Sequence, residues 1–256
     1  MTGTRPALAS LPLGLIRRSL LAHADGRHDV TSSVLWLQGL SLYCDLRRPA
    51  DRPDLTGLDC QDDLARLDAV QLDWLRRQQG FAGHCTLHHD VANWHRTIDL
   101  EPHGRQPDAG RLHWVDDVLV ETGVHEPYLE HWEPPPMPAP GALIGGAVLS
   151  RTDSGGHGTP GTAILVRVGD WFGFARDGGL PASAHAPEGF DREISLGRII
   201  RQRWLISASN LPYREGVDLA ATAGAGGVAV AAAEPDGTPI RQHWPAVNVE
   251  GELGLG

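Results

Sequence analysis

The sequence predicts a mainly β protein, an antiparallel barrel of about ten to twelve strands with one bracing α-helix. Short segments rich in β-branched and aromatic residues recur at close spacing, and turn-forming Gly, Pro and Asp residues punctuate them. The regular alternation of strand and helix that a parallel sheet needs is missing. The 256 residues, 41% hydrophobic and 21% charged, suit a globular β domain of this size.

The elements read as follows. Residues 1–29 form a loosely structured N-terminal lead-in with a short helix around Leu13 to Ala22, and residues 30–256 form a single β-barrel domain. The run from Val30 to Leu46 breaks at Gly39 and predicts a tight hairpin. Between Gln61 and Gln79, apolar residues recur at three and four positions, with acids early and Arg76-Arg77 late, which predicts the helix. Strands follow over Phe81 to His88, Val91 to Leu100, Arg111 to Thr122 and Tyr128 to Glu133, with Pro102-His103-Gly104 among the turns. The proline-rich run Pro134 to Pro140 must be extended and poor in hydrogen bonds, either a link to a second lobe or a strap along an edge. Beyond it come Ala142 to Ser150, a hairpin over Thr162 to Ala175 turning at Gly169-Asp170, Glu193 to Ile200, Arg203 to Ser209, and a last hairpin from Ala223 to near Ala246.

Composition excludes several classes of chemistry. All 22 basic Lys and Arg positions are Arg, so Schiff-base, phosphate-loop and general-base lysines are impossible. The net charge of −10 and the lack of a basic stripe speak against nucleic acid. No apolar run is long enough for a membrane span and no signal-peptide order opens the chain, so no membrane association and a cytoplasmic location are expected. Cys44, Cys60 and Cys85 fit neither a disulfide framework nor a CxxC zinc pair and read as reduced thiols. Gly155 to Gly161 reads as a hairpin loop, because no helix follows it and it lacks the lysine of a phosphate loop. No serine sits in a GxSxG elbow. Among 13 histidines no HxH with a third ligand occurs, so no metal and no cofactor are expected, with haem held by one histidine as the alternative.

The informative feature is charge inside strands that otherwise look half-buried: Asp45, Arg96, Asp99, Glu121 and Glu130. Alternation puts Trp94, Arg96 and Ile98 on one face and Tyr128, Glu130 and Trp132 on another. If both face inward, Arg96 pairs with Glu130 or Glu121 between tryptophan walls, either fixing register or gripping a polar group. Trp36 with Gln38, and Tyr43 with Asp45 and Arg47, form a second polar-aromatic set. The candidate ligand-binding residues are therefore Trp36, Tyr43, Trp94, Arg96, Glu121, Glu130 and Trp132; no catalytic residue is assigned.

From Trp94 through Asp108-Ala109-Gly110, Glu121-Thr122-Gly123 and Glu130-His131-Trp132 to the segment Val166-Arg167-Val168-Gly169-Asp170-Trp171-Phe172-Gly173-Phe174, the order of motifs resembles the fungal HRI-type protein family. The resemblance covers roughly residues 94–177. It implies a calycin/lipocalin-like β-barrel and no particular activity. The expected function is binding of a small, partly apolar ligand in a barrel cavity. The alternatives are a lyase or isomerase using Glu121 or Glu130 as acid/base with Arg96 stabilising negative charge, and a protein-interaction domain with a filled barrel.

Overall fold

The computed structural model describes residues 8, 10–101, 106–151, 160–179 and 183–256. The Pro102-His103-Gly104 turn and residues 152–159 of the glycine-rich loop lie outside them.

The first sheet takes, in chain order, β1 (Gly14–His23), β2 (His28–Asp29), β3 (Ser33–Gln38) and β4 (Leu42–Arg48). After helix α1 (Ala69–Arg76) come β5 (Gln79–His88), β6 (Val91–Asp99), β7 (Asp108–Val115), β8 (Val118–Gly123) and β9 (Tyr128–Glu133). From β3 onward each strand pairs antiparallel with the next, and β1 pairs with both β3 and β9, so eight strands close into an up-and-down barrel. The second sheet is an open half-barrel of β10 (Ile144–Arg151), β11 (Gly161–Val168), β12 (Trp171–Gly178), β13 (Glu193–Ile200), β14 (Arg203–Ser209), β15 (Thr222–Gly224), β16 (Gly227–Ala233) and β17 (Pro239–Gly251). Its order runs from β14 back through β10, then β17, β16 and β15. The mainly β, antiparallel barrel class is therefore as expected, but its strands divide between a closed barrel and an open sheet.

One apolar layer joins the two. Leu35 and Leu37 of β3, with Leu42, Cys44 and Leu46 of β4, point out of the barrel onto Ile164 and Val166 of β11 and Ile194 and Leu196 of β13. The alternate residues Val34, Trp36 and Tyr43 point in. Both faces of this hairpin are buried, which is why it reads as an almost continuous apolar run. Glu250 of β17 fastens the joint by accepting hydrogen bonds from the Ser41 and Leu42 amides, both at 3.0 Å, and from the Ser41 hydroxyl. The half-barrel fills its other face with Leu165, Phe172, Phe174, Trp204, Val230 and Trp244.

Three expectations need correction. The lead-in is no lead-in from Gly14 onward: the helix expected around Leu13 to Ala22 is strand β1, which closes the barrel. Ile16 is buried inside, and a register irregularity between Arg18 and Leu20 lets the strand bend across from β3 to β9. The expected strand Arg111 to Thr122 is a hairpin, with Val115 opposite Val118 and Asp116 at φ 53° in the turn. That turn explains why neither alternation across the run was consistently apolar. The helix expected over Gln61 to Gln79 divides into a 3-10 turn, Asp62–Arg66, and α1; Leu67 between them is extended, and Asp68 starts α1 with a capping box completed by Gln71. α1 does brace the fold, burying Trp74 and Leu75 with Phe190 and Leu211.

Because β1 supplies two of the barrel's ladders, a chain beginning at Val30 should lose cooperative thermal unfolding. A truncated protein melting at the full-length temperature would contradict the closure described here.

Candidate functional site

The barrel interior is aromatic at its centre and charged around it. Trp36 of β3 meets Trp94 of β6 and Trp132 of β9 edge-on, with ring centroids 5.6 and 5.5 Å apart. The Trp36 indole N–H donates to Gln38 Oε1 at 3.0 Å. All three rings belong to one buried cluster with Ile16, Leu112 and Leu119.

Cross-strand register sets Glu121 of β8 directly opposite Glu130 of β9. Two like charges so placed repel unless they are separately held, and they are. The Arg18 guanidinium of β1 donates to Glu130 Oε1 at 2.8 Å and to Asp29 at 2.7 Å, while Arg47 reaches the same Glu130 oxygen at 3.6 Å. Glu121 accepts from the Tyr128 hydroxyl at 2.7 Å and from the Trp132 indole N–H at 3.0 Å. Gly110 makes room for it, since a Cβ there would lie 2.5 Å from the Glu121 carboxyl oxygen. Burial and the neighbouring Glu130 charge raise Glu121 to about 8, against the opposing pull of the Tyr128 hydrogen bond and Arg47. Burial likewise raises Asp45, despite Arg47 donating to it at 2.9 Å.

Above this layer the barrel opens into a cleft of about 1030 Å³, whose lining includes Phe81, Trp94, Arg96, Asp108, His125 and Tyr128. The Arg96 guanidinium lies 3.7 Å from the centre of the Phe81 ring and donates to Asp108 at 2.6 Å and Asp99 at 3.0 Å. Beside Phe81, at 6.1 Å between ring centroids, stands Tyr43, whose hydroxyl is buried without a hydrogen-bond partner among the described residues. Unpaired buried hydroxyls are rare and mark places where a water or ligand atom belongs.

Of the seven candidate residues, Trp94 and Arg96 line the cleft; Trp36, Tyr43, Glu121, Glu130 and Trp132 are buried beneath it. The expected pairing of Arg96 with Glu130 or Glu121 does not form. The bulge opposite Ala82 and Gly83 breaks the alternation of β6, so Ile98 packs between the sheets and Asp99 takes the place beside Arg96. The real partner of Glu130 is Arg18, hidden in the stretch read as lead-in. Tyr128, the link between cleft and Glu121, and Asp108 were not among the candidates; the Tyr128–Glu130–Trp132 alternation is the signal that points to the first. Among the described residues no group of three or more His, Cys, Asp or Glu side chains is placed to hold a metal, and no helix is long and apolar enough to cross a membrane.

A second buried ionic cluster lies in the half-barrel. Glu193 accepts from Arg176 at 3.0 Å, Arg214 at 2.8 Å and the Ser195 hydroxyl at 2.8 Å. Burial pushes its carboxyl up, but the two guanidinium groups outweigh that and hold it below its ordinary range. This cluster opens onto none of the clefts described and is read as structural.

Compared with known proteins, the chain matches no family model, no curated protein and no solved structure.

Trp132→Ala should cost about 3–5 kcal/mol of stability, as expected for a core tryptophan, and Arg18→Met on the order of 3 kcal/mol by stranding Glu130; chemical denaturation measures both. Because Glu121 is raised in the folded state, unfolding releases its proton, and stability should fall as pH rises from its ordinary 4.5 toward 8. Glu121→Gln should flatten that slope, and an unchanged slope in melting temperature against pH would place the raised group elsewhere.

Proposed function

We propose that the mouth of the barrel binds a small, partly apolar molecule. The observation that carries this reading is the cleft itself: about 1030 Å³ of space with Trp94, Phe81 and Tyr128 offering aromatic surface and polar groups converging from β4, β6 and β7. Small-molecule sites are typically concavities of roughly 300–1,000 Å³ with this combination of apolar wall and few placed polar groups. The ligand sits at the barrel's entrance, not in its centre, because the three tryptophans already fill the interior.

An acid/base enzyme is the second reading. Tyr128 lines the cleft and donates to Glu121, whose pKa of about 8 suits proton transfer near neutrality. In that reading Tyr128 is the group in reach of a substrate, Glu121 acts through it, and Arg96, already neutralised by Asp99 and Asp108, positions and does not stabilise developing charge. Kinship with the fungal HRI-type family is also proposed, supported by motif order alone; the stretch concerned runs from the barrel through β12 of the half-barrel. A reducing, cytoplasmic setting is proposed on the three free cysteines, two of them buried.

Native mass spectrometry and a screen of small aromatic compounds by ligand-observed NMR test the binding reading. Binding should be detected and lost in His125→Trp, which fills the mouth from an exposed rim position without touching the core. Binding that survives His125→Trp would locate it elsewhere, and silence in both experiments would contradict the proposal.

A further inference from the structure

We infer that the molecule bound in the cleft is an organic cation, an ammonium or guanidinium group carried on an apolar or aromatic body. The inference rests on the proposed binding at the mouth and specifies its chemistry.

The cleft already holds one such cation in place. The Arg96 guanidinium carbon lies over the Phe81 ring, 3.7 Å from its centre, flanked by carboxylates at 2.6 and 3.0 Å. This is the geometry in which aromatic faces and carboxylates jointly stabilise a positive charge. Arg96 does not exhaust the negative charge around it. Among the described lining residues four are carboxylic, Asp99, Glu101, Asp108 and Glu126, and two are cationic, Arg47 and Arg96. Both arginines are committed: Arg96 as described, Arg47 to Asp45 at 2.9 Å and toward Glu130 at 3.6 Å. Counting also the one arginine that the sequence has between 102 and 105, carboxylates remain the majority.

Two further observations point the same way. The orphan hydroxyl of Tyr43 is fully buried, packs beside the Phe81 ring, and senses the charges of Arg96 and Asp108, both lining groups. Lying beneath the cleft floor, it can accept from an N–H donor in the cleft through one bridging water. Over longer range, a net charge of −10 draws cations toward the molecule and raises their rate of encounter. An anionic ligand would face the same field as a barrier and would meet the like charges of Glu101 and Glu126 at the rim.

The test is isothermal titration calorimetry of the full chain at low salt with three probes that share a phenethyl body: phenethylammonium, 2-phenylethanol and 3-phenylpropionate. Phenethylammonium should bind at least about tenfold more tightly than the alcohol, with phenylpropionate weakest. Glu126→Gln, at an exposed rim position, should weaken the ammonium several-fold and leave the alcohol unchanged. Equal binding of ammonium and alcohol, tighter binding of the carboxylate, or indifference of the ammonium to both Glu126→Gln and Glu101→Gln would overturn the charge assignment while leaving the cleft a binding site. Failure of all three probes to bind at millimolar concentration would remove the binding reading itself, and this inference with it.

Discussion

Much of the barrel depends on how it accommodates two carboxylates that register forces face to face. Antiparallel pairing of β8 with β9 puts Glu121 opposite Glu130 inside a closed barrel, where water cannot screen them. The chain separates their fates. Glu130 is tied to Arg18 and approached by Arg47, whereas Glu121 is surrounded by neutral donors, Tyr128 and Trp132, and by the space that Gly110 leaves. Breaking the Glu130 pair strands a charge, and breaking the Glu121 arrangement leaves a buried carboxyl and its donors unsatisfied.

That solution links closure, core and mouth. Arg18 is supplied by β1, so the strand that closes the ladder also neutralises the interior. Trp132 joins the aromatic centre through its ring and the carboxyl layer through its N–H. Tyr128 spans the distance from that layer to the cleft. The outward face of the same β3–β4 hairpin then docks on the half-barrel, with Glu250 capping its turn, so the second sheet holds the barrel from outside.

Much of this was legible in the residues. Glu193 to Ile200, Arg203 to Ser209 and Tyr128 to Glu133 are strands with the bounds that their composition marks, and Gly169-Asp170 turns β11 into β12 as expected. Trp36, Trp94 and Trp132 are among the residues named for the interior, but parity leaves open which strand faces point inward, and the fold fixes it. What sequence could not supply was pairing around the barrel. Arg18 lies in the stretch read as a lead-in, and only closure by β1 shows that Arg17 and Arg18 point opposite ways. Asp116-Asp117 resembled strand interior because aspartates at a two-residue turn carry no glycine to announce it. The bulge in β6 shifted Asp99, and no local signal distinguishes Thr97 as its extra residue. Partner assignments inside a barrel depend on such shifts far more than strand existence does.

The arrangement turns on one proton, that of Glu121. Carbon-13 NMR of the side-chain carboxyls, followed through a pH titration and assigned with Glu121→Gln, reports it at the atom concerned. The Glu121 carboxyl should titrate near 8, far above its ordinary 4.5. A Glu121 carboxyl that titrates at or below that ordinary value would show that burial beside Glu130 does not raise it, and the proton link through Tyr128 to the mouth would not stand.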